Sequence, residues 1–152
     1  MMHKGKQIRI CGILIVLNLI FIWGNSLLPG ELSGALSDWV KELLSRLLPE
    51  GGIGPSGGGL LRKLAHFAEF ALLGLLLTRF FRLLGKKYWY ALPWGVLAAA
   101  IDETIQIFVP GRGPGLRDVG IDTCGVLTGM VLLQIGYFLW KQNQSKRYGG
   151  NE

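Results

Sequence analysis

The chain has 152 residues, is half hydrophobic and only 17% charged, and carries a net charge of +6. That charged fraction is below the ~25% of soluble domains, and the length allows one domain over 1–152. The basic residues form no stripe with interleaved aromatics, which excludes a nucleic-acid surface, and Cys11 and Cys124 lie in apolar runs without metal-ligand spacing, as buried packing residues.

The first apolar run, residues 10–28, follows the basic start HKGKQIR. It is longer than a signal-peptide core, and no small-x-small cleavage pattern follows Trp23. It reads as an uncleaved transmembrane helix. Residues 31–48 place Leu32, Leu36, Trp39, Leu43 and Leu47 at helical spacing opposite charged positions. This predicts an amphipathic helix, either on the outer leaflet with Trp39 at the headgroups or packed over the protein itself. The stretch GGIGPSGGG, residues 51–59, reads as a flexible linker. Further apolar runs cover 61–81, 88–109 and 118–140, with Pro93 in the first turns of the third, where a helix tolerates it. At ~1.5 Å per residue each run can cross a ~30 Å hydrocarbon core. The expected fold is an all-α membrane protein with four transmembrane helices. Most lysines and arginines flank the N-terminus, the loop after residue 81 and the C-terminal tail. The positive-inside rule then sets both termini inside, with residues 31–59 and the loop at 110–117 outside.

Depth brings the polar residues together. Measured from the outer surface, His66 and Glu69 lie below Arg62, Gln106, Glu103 and Asp102 lie below Pro110, and Asp122 lies below Asp118. All fall within ~12 Å of that surface at helical rise. Lys63, His66 and Glu69 share one side of their helix, and Asp102, Glu103 and Gln106 one side of theirs. Asp118 and Asp122 are in phase with Gly125 and Gly129, a GxxxG pair on which the third and fourth spans are expected to pack. Ionisable groups at this depth are costly unless they pair or face a cavity. The cluster is therefore a salt-bridged plug or an outward-facing polar pocket, and its surplus of charged groups favours the pocket.

Several chemistries fit. Arg112 and Arg117, on a glycine- and proline-constrained loop, suit a phosphate or carboxylate, because guanidinium pairs with both bidentately. Lys63, Gln106, Asp118 and Asp122 complete the candidate ligand-binding set. The acids, in particular Asp118, Asp122 and Glu103, offer oxygen ligands for a divalent cation such as Mg²⁺. His66 with Glu69, and Asp102 with Glu103, are candidate acid/base groups. HExxH and zinc-type cysteine sets are absent from the sequence.

The segments KLAHFAEFALLG (63–74) and DETIQIFVPGRGPGLRDVGIDTCGVLTG (102–129) resemble the VanZ-like family of bacterial membrane proteins. That family's pattern is K-x-x-H-F-x-x-[YF]-x-x-L-G, then D-E-x-x-Q-x-F-x-P-G-R, then D, then N-T-x-G. The weaker Ser/Pro-rich segment of the family is matched by NSLLPG at the end of the first span. One position departs: Asp122 stands where the pattern has Asn. The resemblance implies residence in the bacterial cytoplasmic membrane as a multi-pass protein. It also implies a role in resistance to teicoplanin-type glycopeptides, which act outside the membrane, or in cell-envelope homeostasis. Its partners would be the lipid bilayer and an anionic lipid or lipid-linked cell-wall precursor. The resemblance assigns no reaction, and three readings stand: a binding pocket, an enzyme acting on a phosphate-linked lipid headgroup, and a structural or partner-binding module.

Overall fold

The structure, a computed structural model, describes residues 3–47, 57–113 and 115–148. Its elements run α1 (Lys4–Ser26), α2 (Gly30–Leu47), α3 (Gly57–Leu83), a 3₁₀ turn (Tyr88–Tyr90), α4 (Ala91–Ile107) and α5 (Leu116–Tyr148). Among the described residues there is no strand. The predicted amphipathic helix is α2. Of the expected glycine linker, residues 57–59 continue α3 as helix, and residues 51–56 lie outside the described residues.

Among the described residues, three helical segments are long and apolar enough to cross a membrane: Lys4–Ser26, Leu60–Leu83 and Leu116–Ser145. The fourth apolar run differs from the expected span. Its start is the 3₁₀ turn, and α4 itself has 17 residues, ~26 Å of rise against a ~30 Å core. Pro93 cannot donate a backbone hydrogen bond and so belongs to a first turn, which places the helix start just before it.

Helix α3 is the hub, packed against α1, α2, α4 and α5. It meets α5 through backbone contact. A Cβ on Gly129 would overlap the Ala71 carbonyl, and one on Gly74 the Val126 carbonyl, while one on Gly125 would lie 2.5 Å from the Phe67 carbonyl oxygen. The GxxxG pair thus packs on α3, not on α4 as its phase with the acids suggested. Helix α4 reaches α5 one residue further on, where Gly95 sits under the Val126 side chain. The apolar core is small, built on Ile22, Phe70, Leu73, Ala99 and Val126.

Large apolar side chains point outward. Ile13, Ile20 and Phe21 on α1, Trp94 on α4, and Phe138 and Trp140 on α5 are all exposed, whereas Asn18, Asp102, Glu103, Gln106 and Asp122 are buried. The apolar window of α1 is only 22% buried. Water would oppose such an arrangement, since apolar surface of this extent drives burial. A lipid solvent accepts it, and the polar groups then gather inside. Cys124, expected inside, is exposed on α5, while Cys11 is buried. Helix α2 packs against α3, as one of the two expected placements has it, with Trp39 and Leu43 left exposed.

Turns at the two ends close the bundle. Helix α3 ends in a Schellman motif: Lys86 N–H donates to the Phe81 carbonyl and Gly85 N–H to that of Arg82, with Gly85 at φ +74°. At the opposite end, the α1–α2 corner is tied to the α4–α5 loop. Gly30 N–H donates to the Pro110 carbonyl at 3.1 Å, and a Cβ on Gly30 would overlap the Gly111 carbonyl. Gly111 itself has φ +73°, a conformation that suits glycine.

Candidate functional site

The polar residues named from sequence converge at the end of the bundle where these two loops meet. Helix α3 supplies Lys63, His66 and Glu69, α4 supplies Asp102, Glu103 and Gln106, and α5 supplies Asp118 and Asp122. His66 is the centre. Its Nδ1 lies 3.8 Å from Glu69 Oε2 and 3.9 Å from Asp102 Oδ2. Both distances are longer than a hydrogen bond, and Nδ1 has no hydrogen-bond partner among the described residues.

Around that centre the groups are held in pairs. The Gln106 amide donates to Asp102 Oδ2 at 2.8 Å and to Ser26 Oγ at 3.3 Å. Asn25 Nδ2 donates to Glu69 Oε1 at 2.9 Å. Glu103 Oε2 accepts the Gly115 backbone N–H at 2.9 Å, which fixes the loop onto α4. Lys63 Nζ lies 3.2 Å from Asp118 Oδ1, and both side chains are partly exposed. A solvent-accessible pair of this kind contributes ~0–1 kcal/mol. The cluster is thus partly a plug, closed by this ion pair and these hydrogen bonds, and partly an open cleft.

Arg112 has two duties. Its Nε donates to the Leu28 carbonyl at 3.1 Å and one terminal nitrogen to the Asn25 carbonyl at 2.8 Å. The Asn25 carbonyl also accepts the Leu28 N–H at 3.2 Å, so Arg112 adds a second bond there and ties the loop to the corner just past α1. The other terminal nitrogen, Nη1, is buried and has no hydrogen-bond partner among the described residues. Burial, and after it the neighbouring Arg62 guanidinium, lower the pKa of Arg112 from its ordinary value. An anion placed between the two guanidiniums would relieve that repulsion.

Two cavities flank His66. The larger, about 360 Å³, is bounded by Asn25, Ser33, Arg62, His66, Glu69 and Arg112. The smaller, about 20 Å³, touches Lys63, His66, Glu103, Gln106, Asp118 and Asp122. The first is of ligand-pocket size, and the second has room for one water or ion. Arg117, predicted beside Arg112, is exposed at the start of α5 and lines neither cavity. Only residue 112 lies where the loop turns back over α1. The metal set also differs. Among the described residues, the group close enough to share an ion is His66, Asp102 and Asp122, not Asp118, Asp122 and Glu103. Asp118 faces Lys63, and Glu103 is engaged by Gly115.

Asn25 and Ser26 were absent from the expected site. The signal was present: two adjacent polar residues end an otherwise apolar run, and Ser26 is wholly buried. Arg62, also outside the expected set, lines both cavities.

The VanZ/LLP1 family model matches residues 10–139. No curated protein and no solved structure matches the chain.

Proposed function

The chain belongs to the VanZ/LLP1 family, and from that premise we propose that it is a multi-pass protein of the bacterial cytoplasmic membrane that binds an anionic group in an outward-facing pocket. Helix α4, with its preceding 3₁₀ turn, completes a fourth crossing beside the three longer helices, both termini lie inside, and the whole chain acts as one domain. The anionic group belongs to a lipid or a lipid-linked cell-wall precursor. Through it the protein supports glycopeptide resistance of the teicoplanin kind, or envelope homeostasis. The observation that carries this reading is a 360 Å³ cavity lined by Arg62 and Arg112, the latter with a buried Nη1 that has no hydrogen-bond partner among the described residues. Guanidinium is suited to phosphate and carboxylate, and an unmade bond to a charged buried donor is costly.

Alanine at His66 or Glu69 is expected to raise teicoplanin susceptibility of cells producing the protein, at unchanged membrane abundance. If abundance alone changes, the pocket reading fails. Orientation is checked separately. Gly113→Cys, in a background carrying Cys11→Ser and Cys124→Ser, is expected to react with a membrane-impermeant maleimide on intact cells. Labelling only after permeabilisation would invert the topology.

A second reading is favoured by the imidazole set between two carboxylates: an enzyme hydrolysing or transferring a phosphate-linked lipid headgroup, with His66 moving the proton. Release of a headgroup product by the purified protein would select it over simple binding.

A further inference from the structure

We infer that His66, Asp102 and Asp122 form a binding site for one divalent transition-metal ion of the zinc or manganese class, where α3, α4 and α5 meet. The inference rests on the same polar cleft as the proposed function. It needs no anionic ligand, so the two can fail separately.

Each of the three residues offers a ligand atom, and these atoms all lie within 4.8 Å of one another. Metal–ligand bonds of ~2.0–2.2 Å put the ligand atoms of a tetrahedral shell ~3.4 Å apart. Closure therefore requires side-chain shifts of about an ångström and no movement of the helices. Proximity alone would be weak evidence. The second observation is that the ligands are left unmade. Asp102 is 0% exposed, yet its Oδ1 has no hydrogen-bond partner among the described residues, and neither has His66 Nδ1. Asp102 Oδ2 is held by the Gln106 amide, as metal-binding carboxylates are commonly oriented by a neighbouring donor. The 20 Å³ cavity touched by His66 and Asp122, though not by Asp102, is of ion size.

Charge supports the same reading. Lys63 is taken up by Asp118. That leaves Glu69, Asp102, Glu103 and Asp122 facing the guanidiniums of Arg62 and Arg112. Four carboxyls thus face two guanidiniums, and a divalent ion would compensate those of them that ionise. Uncompensated charge in an apolar surrounding is strongly unfavourable. The donor set selects the ion. An imidazole nitrogen with two carboxylates suits zinc, manganese or iron, whereas magnesium and calcium prefer oxygen donors. Three protein ligands also leave coordination positions open to water or to an incoming anion.

The test uses untagged full-length protein in detergent, stripped with chelator and titrated with Zn²⁺ and Mn²⁺ by calorimetry, with metal content measured after gel filtration. Wild type is expected to retain one equivalent of metal and to melt at a higher temperature with it. Asp122→Asn and His66→Gln are each expected to weaken binding by roughly ten-fold or more, while Arg117→Ala, remote from the cluster, binds as wild type. Thermal unfolding establishes that each variant is folded, and where His66→Gln is not, the near-isosteric Asp122→Asn decides. Folded wild type that holds no stoichiometric metal, or variants that bind as tightly as wild type, would overturn the site.

Discussion

Gly129→Ala is expected to destabilise the protein by about 3 kcal/mol or more, among the largest effects a single methyl group can have. The added Cβ would meet the Ala71 carbonyl and lie 2.7 Å from the Leu75 backbone nitrogen. Those atoms belong to the backbone of α3 and cannot step aside as a side-chain tip could. Gly74 and Gly125 meet the same constraint within the same contact, so the two helices must separate along their length. Separation would carry Asp122 away from His66, and the polar cluster would be lost with the packing. The control lies in the same helix. Gly120 and Gly136 have nothing within 4 Å of an added Cβ. Alanine there is expected to be neutral or to stabilise by up to ~1 kcal/mol, through helix propensity. Thermal unfolding in detergent compares the three variants directly. A Gly129→Ala protein that melts with the Gly136→Ala protein would show that α3 and α5 do not touch through their backbones.

Arg112→Ala is expected to have the second largest effect, and on two measurements at once. Two charge-assisted hydrogen bonds to the Asn25 and Leu28 carbonyls disappear. Bonds of this type are worth ~1.5–3 kcal/mol each, so the melting temperature should fall. The guanidinium that lines the cavity disappears as well, and binding of an anionic lipid-linked precursor should weaken by about ten-fold or more. Arg112→Lys separates the two roles. Lysine keeps the positive charge but not the planar fork. It should retain part of the anion attraction while losing the simultaneous grip on both carbonyls. If folded Arg112→Ala protein binds the precursor as wild type does, Arg112 is only a clamp between α1 and the α4–α5 loop. The proposed anion pocket would then lack its main contact.

These predictions draw on different levels of the molecule, and so does their legibility from sequence. The apolar runs show as helices because their length and hydropathy are properties of neighbouring residues. The amphipathic character of α2 follows in the same way from the spacing of Leu32, Trp39 and Leu43. The convergence of His66, Glu69, Asp102, Glu103 and Asp122 at one end of the bundle was also readable. Depth along a helix is counted in residues, and the loops fix which ends meet.

What sequence could not decide was which faces touch. Gly125 and Gly129 are in phase with Asp118 and Asp122, which pointed them at α4, but they press on α3 because α3, not α4, lies along the length of α5. Arg112 and Arg117 looked equivalent, until Gly111 at positive φ turned one of them back onto α1 and left the other exposed. The group close enough to share an ion likewise includes His66 and Asp102 in place of Asp118 and Glu103. Chain order determines what each helix carries and how deep it sits. Only the packing of backbone against backbone determines the rotation of each helix about its own axis, and that rotation selects which side chains share a site.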